Sequence, residues 1–457
     1  MPFTGEPYDS AVQTAAVTNA IWEENYNVSV EIYMKLRGKT EGLFRINDRA
    51  FTGESFRRKI VHAPYSGART SAQGTVIPAP KGFDRETFTI GRTDLNRVTA
   101  SIRMSEEDMR AAVGDENATI DLVEDSVRQV RDAAPNRIAI GMHGNAAGLL
   151  GLINGTPTDE DDTAYTFGNT NVRFAIDAGS IAYFLCEDLE IDIKDPSGDV
   201  RLTMKVEDVF VESKEVILSR VSGVDADCDN VADNDELYFS GEAGNSTGMN
   251  GFKEWFIDGG TPSTVYSKDR SAVGGRKYIP NEVSGGGDAL VVGDLDSALA
   301  PLGYYNRNDN AGDKLVQTRE LILTADLDMT QRIMDLMDSA KRLTVPATKD
   351  NSRLVAESGF DGYIHHNPIA GPLHFTGDQF HMPEHVRIID PAAWEWVMLG
   401  RPGFLVPPGM PAGQIWKQMV DASGNEYAVY QATWFQILNL VCWAAKKNSQ
   451  VYSVTSS

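Results

Sequence analysis

A chain of 457 residues can bury a sizeable core, either as two or three ordinary domains or as one extended subunit with several lobes. Its 42% hydrophobic content, with 15 Tyr, 18 Phe and 7 Trp, excludes a disordered polymer and favours a folded, β-rich protein. With 42 basic against 65 acidic residues the formal charge is -23, which excludes gripping nucleic acid over a broad face, since that takes clustered Lys and Arg.

Cys186, Cys228 and Cys442 lie far apart and form no C-x-x-C pair, so neither a disulfide framework nor a structural zinc site is expected, and a reducing compartment is the simpler reading. The polar, acidic start Met1-Pro2-Phe3-Thr4-Gly5-Glu6-Pro7 does not read as a signal peptide. The apolar run Trp434 to Ala445 is broken by Gln436 and Asn439 and falls short of the roughly 20 residues a span needs, so no membrane role is expected.

Residues 1–50 carry weak helical signals over Ala11 to Tyr26 and Val28 to Arg37 without a core pattern, as in an arm that packs on something else. Between 57 and 103 the charge reverses. Nine basic residues (Arg57, Arg58, Lys59, Arg69, Lys81, Arg85, Arg92, Arg97 and Arg103) stand against three acidic ones (Asp84, Glu86 and Asp94). Two alternating runs, Thr87 to Ile90 and Val98 to Ile102, fit half-buried strands, and the tip Gly74 to Gly82 is rich in Pro and Gly and cannot continue a ladder. A basic hairpin of this kind is not stable alone, and an acidic surface on a second copy of the chain would support it.

Ser105 to Asp108 caps a short helix, and a long one follows over Asn117 to Met142, capped by Asp115 to Thr119. Ile120, Val123, Val127, Val130, Ala134 and Ile138 recur at steps of three and four, while Glu124, Arg128 and Asp132 form pairs four apart on the wet side. Pro135 should kink this helix or end its first segment. If it resumes, the helix is about 37 Å long, and it runs into the glycine-punctuated segment His143 to Ile153.

After an acidic loop at Thr158 to Asp162, the period switches to two from Leu185 to about Trp255, which predicts a β meander, in the limit a small barrel. Residues 258–290 read as glycine-rich connection. Helices are expected over Asp294 to Leu302 and Leu327 to Leu343. A further helix is expected to start at Asp390-Pro391 and stop at Gly400, and aromatic-rich strands run from Tyr427 to Tyr452.

Two motifs carry candidate chemistry. Asp225, Asp227, Asp229, Asp233 and Glu236 have the spacing of an EF-hand-like loop and would suit calcium. Asn230 stands where glycine is expected, and the flanks look like strands, which favours a solvated acidic tip. His365, His366, His374, His381 and His385 cluster, but Pro383 prevents the helix that would put His381 and His385 on one face, so they read as polar loop histidines rather than zinc ligands. No Walker loop, G-x-S-x-G elbow or dinucleotide fingerprint is present, and nothing demands an enzyme.

The order of parts resembles the major capsid proteins of tailed bacteriophages, an α+β family of the Hong Kong 97-like fold. The local carriers are Gly148-Leu149-Leu150-Gly151-Leu152-Ile153, Val265-Tyr266-Ser267-Lys268-Asp269-Arg270-Ser271 and Arg387-Ile388-Ile389-Asp390-Pro391. The resemblance implies an N-terminal arm (1–50), an extended loop (51–104), a peripheral domain with its spine helix (105–184), a β-rich insertion (185–262) and a connector (263–290). An axial domain (291–414) and returning peripheral strands (415–457) would complete the subunit. It also implies a non-enzymatic subunit that assembles into hexamers and pentamers in the host cytoplasm and ends in the virion capsid. The nine basic residues above would then be intersubunit contacts. Implied partners are a portal, scaffold and decoration proteins in some members, and packaged DNA met non-specifically on the inner face. Some members cross-link a lysine of this loop to an asparagine. Lys81 is the only lysine suitably placed, and no asparagine or glutamate can be matched to it. Two alternatives stand beside this reading: an encapsulin-like bacterial nanocompartment shell, and an acidic calcium-binding surface module.

Overall fold

The computed structural model describes residues 40, 43–47, 54–60, 86–105, 134–158, 171–177, 179–185, 189–222, 231–240, 248–262, 264–266, 268–272, 275–305, 321–340, 364–367, 371–400, 403–404, 416–420 and 426–455. These residues form a mixed α+β structure, rich in strands, around three apolar cores.

The first strands are β1 (Arg45–Asn47), β2 (Ser55–Ile60), β3 (Glu86–Gly91) and β4 (Asn96–Ser105). β2 and β3 form an antiparallel ribbon, from Ser55 opposite Gly91 to Ile60 opposite Glu86. The expected hairpin continued to Arg103, but β4 leaves the ribbon. A 3-10 turn at Arg92–Asp94, closed by the Asp94 carboxylate accepting the Gly91 N–H at 2.7 Å, redirects the chain into a different sheet.

Helix α1 spans 134–143 among the described residues, with Pro135 in its first described turn; 117–133 lie outside them. Ala134, Ile138 and Met142, four apart, are buried on its core side. It stops where the Gly144 N–H turns back to the carbonyls of Ile140 (3.0 Å) and Gly141 (3.2 Å). The chain crosses this helix end again at Gly248 and Gly251. A Cβ on Gly248 would lie 2.2 Å from the Asn145 carbonyl oxygen, and one on Gly251 would lie 2.3 Å from that of Gly141, so only glycine permits the approach.

Next come β5 (Gly151–Thr158), β6 (Asn171–Asp177), β7 (Glu190–Lys194), β8 (Val200–Phe210), β9 (Glu215–Ser222) and β10 (Glu236–Phe239), which close into a barrel in the order β10-β5-β6-β9-β8-β7. The predicted meander is therefore a closed barrel, but it begins at Gly151 rather than 185. Gly151, Gly155 and Pro157 blur the alternation of β5, whereas Val172, Phe174 and Ile176 of β6 alternate plainly and fill the barrel core.

The chain continues through α2 (Phe252–Trp255), the short pair β11 (Thr264–Val265) and β12 (Lys268–Asp269), β13 (Asn281–Ser284), α3 (Val292–Tyr305), β14 (Leu321–Ala325) and α4 (Leu327–Ala340). β15 (Ile364–Asn367), β16 (Gly371–Gly377), β17 (His385–Ile389), β18 (Trp394–Met398), β19 (Gly403–Phe404), β20 (Trp416–Val420), β21 (Glu426–Cys442) and β22 (Ser449–Tyr452) complete it. The helix expected after Asp390 is a correction. Asp390 does cap, accepting the Ala392 N–H at 3.0 Å, but only one 3-10 turn follows (Pro391–Ala393). Trp394–Met398 then enters a sheet opposite Cys442 to Leu438, because its β-favouring residues are buried on both faces.

Two six-stranded sheets result. In one, β18 lies between β1 and β21, and β4, β19 and β20 also pair with β21; the other runs β13-β22-β17-β14-β16-β15, with α3 packed on β13 and β22 and α4 on β14 and β16. Strand membership crosses the expected boundaries. β18 and β19, from the 291–414 segment, join the first sheet, while β13 and β22, from outside it, join the second.

Candidate functional site

Two places concentrate polar chemistry: the root of the β2–β3 ribbon and a buried junction at the end of α1. At the root, Phe88 and Ile90 of β3 are fully buried, and Phe88 meets Trp255, Tyr266, Tyr278 and Trp443 with ring centroids 5.6 to 6.3 Å apart. Phe56 of β2 adds an edge-to-face contact to Trp443 at 5.6 Å. Beneath them lies Glu395 of β18, a carboxylate only 6% exposed. Its Oε1 accepts from Asn47 Nδ2 of β1 at 2.9 Å, and its Oε2 accepts from Arg58 Nη1 at 2.8 Å and from the Trp443 indole N–H. A buried carboxylate needs such partners, and these come from three different parts of the chain.

The basic residues expected to meet a second copy are thus not equivalent. Arg58 is tied to Glu395 and lies over the Trp443 ring at 4.7 Å, within its own chain. Arg97 is exposed, with its guanidinium 6.0 Å from the Phe435 ring. Arg57, Arg92 and Arg103 are exposed, and their side chains have no partner among the described residues. Lys59 is on β2, in register with Thr87. Arg69, Lys81 and Arg85 lie outside the described residues.

At the junction, His143 Nε2 lies 3.2 Å from Asp378 Oδ2, Thr40 Oγ1 donates to the same oxygen, and Asp378 Oδ1 accepts the Phe380 N–H at 3.0 Å. Arg387 Nη1 approaches His143 Nδ1 at 3.3 Å, with its guanidinium 5.3 Å from the Phe252 ring and 5.6 Å from that of Phe256. Because Arg387 can only donate, His143 must accept at Nδ1 and carry its proton on Nε2 toward Asp378. His381 Nδ1 bonds the Met382 carbonyl at 2.8 Å, and its ring lies 5.1 Å from that of His143.

The electrostatics follow from burial. Burial lowers the pKa of His143 against the opposing pull of Asp378, and burial together with Arg387 lowers that of His381 well below the usual range. Burial opposes ionisation of Asp378, yet the His143 ring and the Thr40 and Phe380 donors hold its pKa at about 2. Arg387, pulled down by burial to about 10, remains a cation at neutral pH. The junction therefore holds one carboxylate, one guanidinium and two neutral imidazoles. It joins α1, the loop after β16, β17 and the segment at Thr40, and none of the four groups is placed as an exposed nucleophile.

His381 lies in a loop as expected, yet it is fully buried, and its ring meets that of His143, which lies 238 positions earlier in the chain. His385 is partly buried with Nε2 3.2 Å from Asp258 Oδ2, His374 lies on β16, and His365 and His366 lie on β15.

Of the calcium candidates, Asp225, Asp227 and Asp229 lie outside the described residues. Asp233 Oδ1 accepts the Gly155 N–H at 2.8 Å, and Glu236, on β10, accepts from the Tyr238 hydroxyl at 2.8 Å, so both serve the barrel. The flanks are strands β9 and β10. Among the described residues no group of three or more His, Cys, Asp or Glu could hold a metal ion, and no helix is long and apolar enough to cross a membrane.

Sequence reasoning passed over Glu395, Trp443, His143, Asp378 and Arg387. A usable signal existed for Glu395: a lone carboxylate between Trp394 and Trp396 in an otherwise apolar strand demands buried partners.

No protein-family model matches the chain, and no curated protein does. The chain is similar to solved capsid structures. The cyanophage A-1(L) capsid asymmetric unit matches with a TM-score of 0.46 and 10% identity, over 91% of this chain and 92% of that one. The capsid of the native GTA particle matches with a TM-score of 0.41 and 9% identity, over 93% and 91%. Mycobacterium phage Patience matches with a TM-score of 0.35 and 11% identity, over 97% and 88%.

Proposed function

We propose that this chain is the major capsid protein of a tailed phage, a structural subunit of the Hong Kong 97-like type that assembles into hexamers and pentamers and encloses double-stranded DNA. One observation carries the reading. In a chain of net charge -23, exposed Arg57, Arg92 and Arg103 have no carboxylate of their own among the described residues. Such charges suit the acidic surface of another copy, and electrostatic complementarity sets register and speeds encounter. The order of elements supports the same reading: an arm, a ribbon, a helix running into glycines, an inserted barrel, then a sheet with two helices and a return to the first sheet.

In this reading the β2–β3 ribbon is the extended loop and α1 the end of the spine helix. The second sheet is the axial domain, and the barrel is the insertion. A portal, scaffold and decoration proteins are the further partners, and an acidic inner wall lets packaged DNA slide rather than stick. Assembly takes place in the host cytoplasm.

Electron microscopy of the purified recombinant protein, with size-exclusion chromatography alongside, tests the proposal. Closed shells, or rings of five and six, are expected. A compact monomer at high concentration overturns it.

A further inference from the structure

Among the described residues the β2–β3 ribbon is a two-stranded sheet by itself, with no ladder to either six-stranded sheet. Its direction is therefore not set by backbone pairing with the body of the subunit. What holds it is side-chain packing: Phe88 meets Trp255, Tyr266 and Tyr278, and the contacts of Phe56 and Arg58 fall on two residues. Trp443 receives Phe56 from one strand, Phe88 from the other and the Arg58 guanidinium on its face. Glu395 then fixes that indole through its N–H and clamps Arg58 with the same oxygen, while Asn47 of β1 holds the other oxygen.

We infer that Glu395 and Trp443 aim the ribbon, acting as positioning residues that set the direction in which one subunit reaches the next. This rests on the shell reading for its purpose, though the aiming itself is a property of the single subunit. The leverage is geometric. The anchoring contacts end at the Arg58–Phe88 pair, two residues short of the described end of the ribbon at Ile60 and Glu86, so at roughly 3.4 Å per residue a tilt of about 10° there displaces that end by about 1 Å. That displacement is enough to lose a charge-assisted hydrogen bond, whose length is about 2.7 to 2.9 Å. Arg58 therefore belongs to the machinery that points Arg57 outward, rather than to the contact itself.

The test uses the whole chain with Cys186 and Cys228 replaced by Ser, and spin labels at Thr87→Cys, beyond the Arg58–Phe88 pair of the ribbon, and Ser101→Cys on β4. Pulsed electron-spin measurement in the unassembled subunit is expected to give one narrow distance for the parent. Arg58→Met and Glu395→Gln should broaden or shift it, and Arg58→Lys, which keeps a cation on the Glu395 carboxylate, should restore it. Arg58 is half exposed, so Arg58→Met is the variant that preserves the fold whatever Glu395→Gln does. In parallel, the rate of shell formation is expected to fall by about tenfold in Arg58→Met, equivalent to about 1.4 kcal/mol, and to recover in Arg58→Lys. A distance that stays narrow and unmoved in Arg58→Met overturns the inference, whatever assembly does. A parent with a narrow distance that Arg58→Met broadens, but with no shells, overturns the shell reading and upholds the aiming role.

Discussion

Replacing Asp378 by Asn keeps the size of the junction residue and removes its charge. Asp378 Oδ2 receives two donors, Thr40 Oγ1 and His143 Nε2, and Oδ1 receives the Phe380 N–H. Asn offers one oxygen in place of two, so whichever way its amide turns, an N–H2 group faces a donor. His143 cannot escape by moving its proton, because Nδ1–H would then face the Arg387 guanidinium. One charge-assisted bond is lost, about 1.5 to 3 kcal/mol, and one buried donor is left unmet, about 1 to 3 kcal/mol. The expected destabilisation is about 3 to 5 kcal/mol, the range for breaking one side of a buried charged pair. Urea unfolding followed by tryptophan fluorescence reads this as a fall in midpoint, with exposed Asp335→Asn as the control that stays within about 0.5 kcal/mol. A cycle with Thr40→Val should show coupling between the two positions, since they share a bond. An Asp378→Asn midpoint equal to that of the control refutes the account of the junction.

Acid should weaken the same place. The folded-state pKa values of His143 and His381 lie below the ordinary imidazole value, so the unfolded chain takes up protons first as pH falls. Stability from these two groups is complete above about pH 6.5 and declines below it; urea midpoints flat between roughly pH 7.5 and 5.5 would contradict this. Gly248→Ala forces a Cβ to within 2.2 Å of the Asn145 carbonyl oxygen and should cost about 3 kcal/mol or abolish soluble expression. Gly293→Ala, in α3 with nothing within 4 Å, should be neutral or stabilising by about 0.5 to 1 kcal/mol, read by the same melts. Arg57→Ala and Arg103→Ala should leave subunit stability within about 0.5 kcal/mol, while slowing assembly and reducing its dependence on salt, measured by light scattering.

Much of the fold was legible because its signals are local. The buried steps of α1, the alternation of β8 and the cap at Asp390 can each be read within a few residues. What Asp390 begins was not legible locally. N-cap plus proline suits a helix or a single turn equally, and the choice is made by β21, some fifty residues on, which pairs with Trp394–Met398. The barrel was read as a meander because closure depends on β5, whose glycines hide its period. The site was less accessible still. The charge reversal over 57–103 marked the ribbon, yet it could not separate Arg58, turned inward to Glu395, from Arg57, turned outward. The His143, Asp378 and Arg387 cluster joins residues more than 200 positions apart, and no spacing rule reports such a meeting.

β21, at 17 residues, has its own lesson about time. It is the strand on which β4, β18, β19 and β20 all pair, so residues 96–105 wait, unpaired, for a partner more than 300 positions downstream. The barrel, confined to 151–239, meets no such delay and can close while the rest of the chain is still being synthesised. Non-local pairing of this kind is slow, and until β21 has been synthesised the β4 edge is open to any strand it meets. A nascent subunit thus carries its ribbon and barrel into the cell before the sheet that anchors the ribbon exists. The arrival of β21 decides when the first sheet can close.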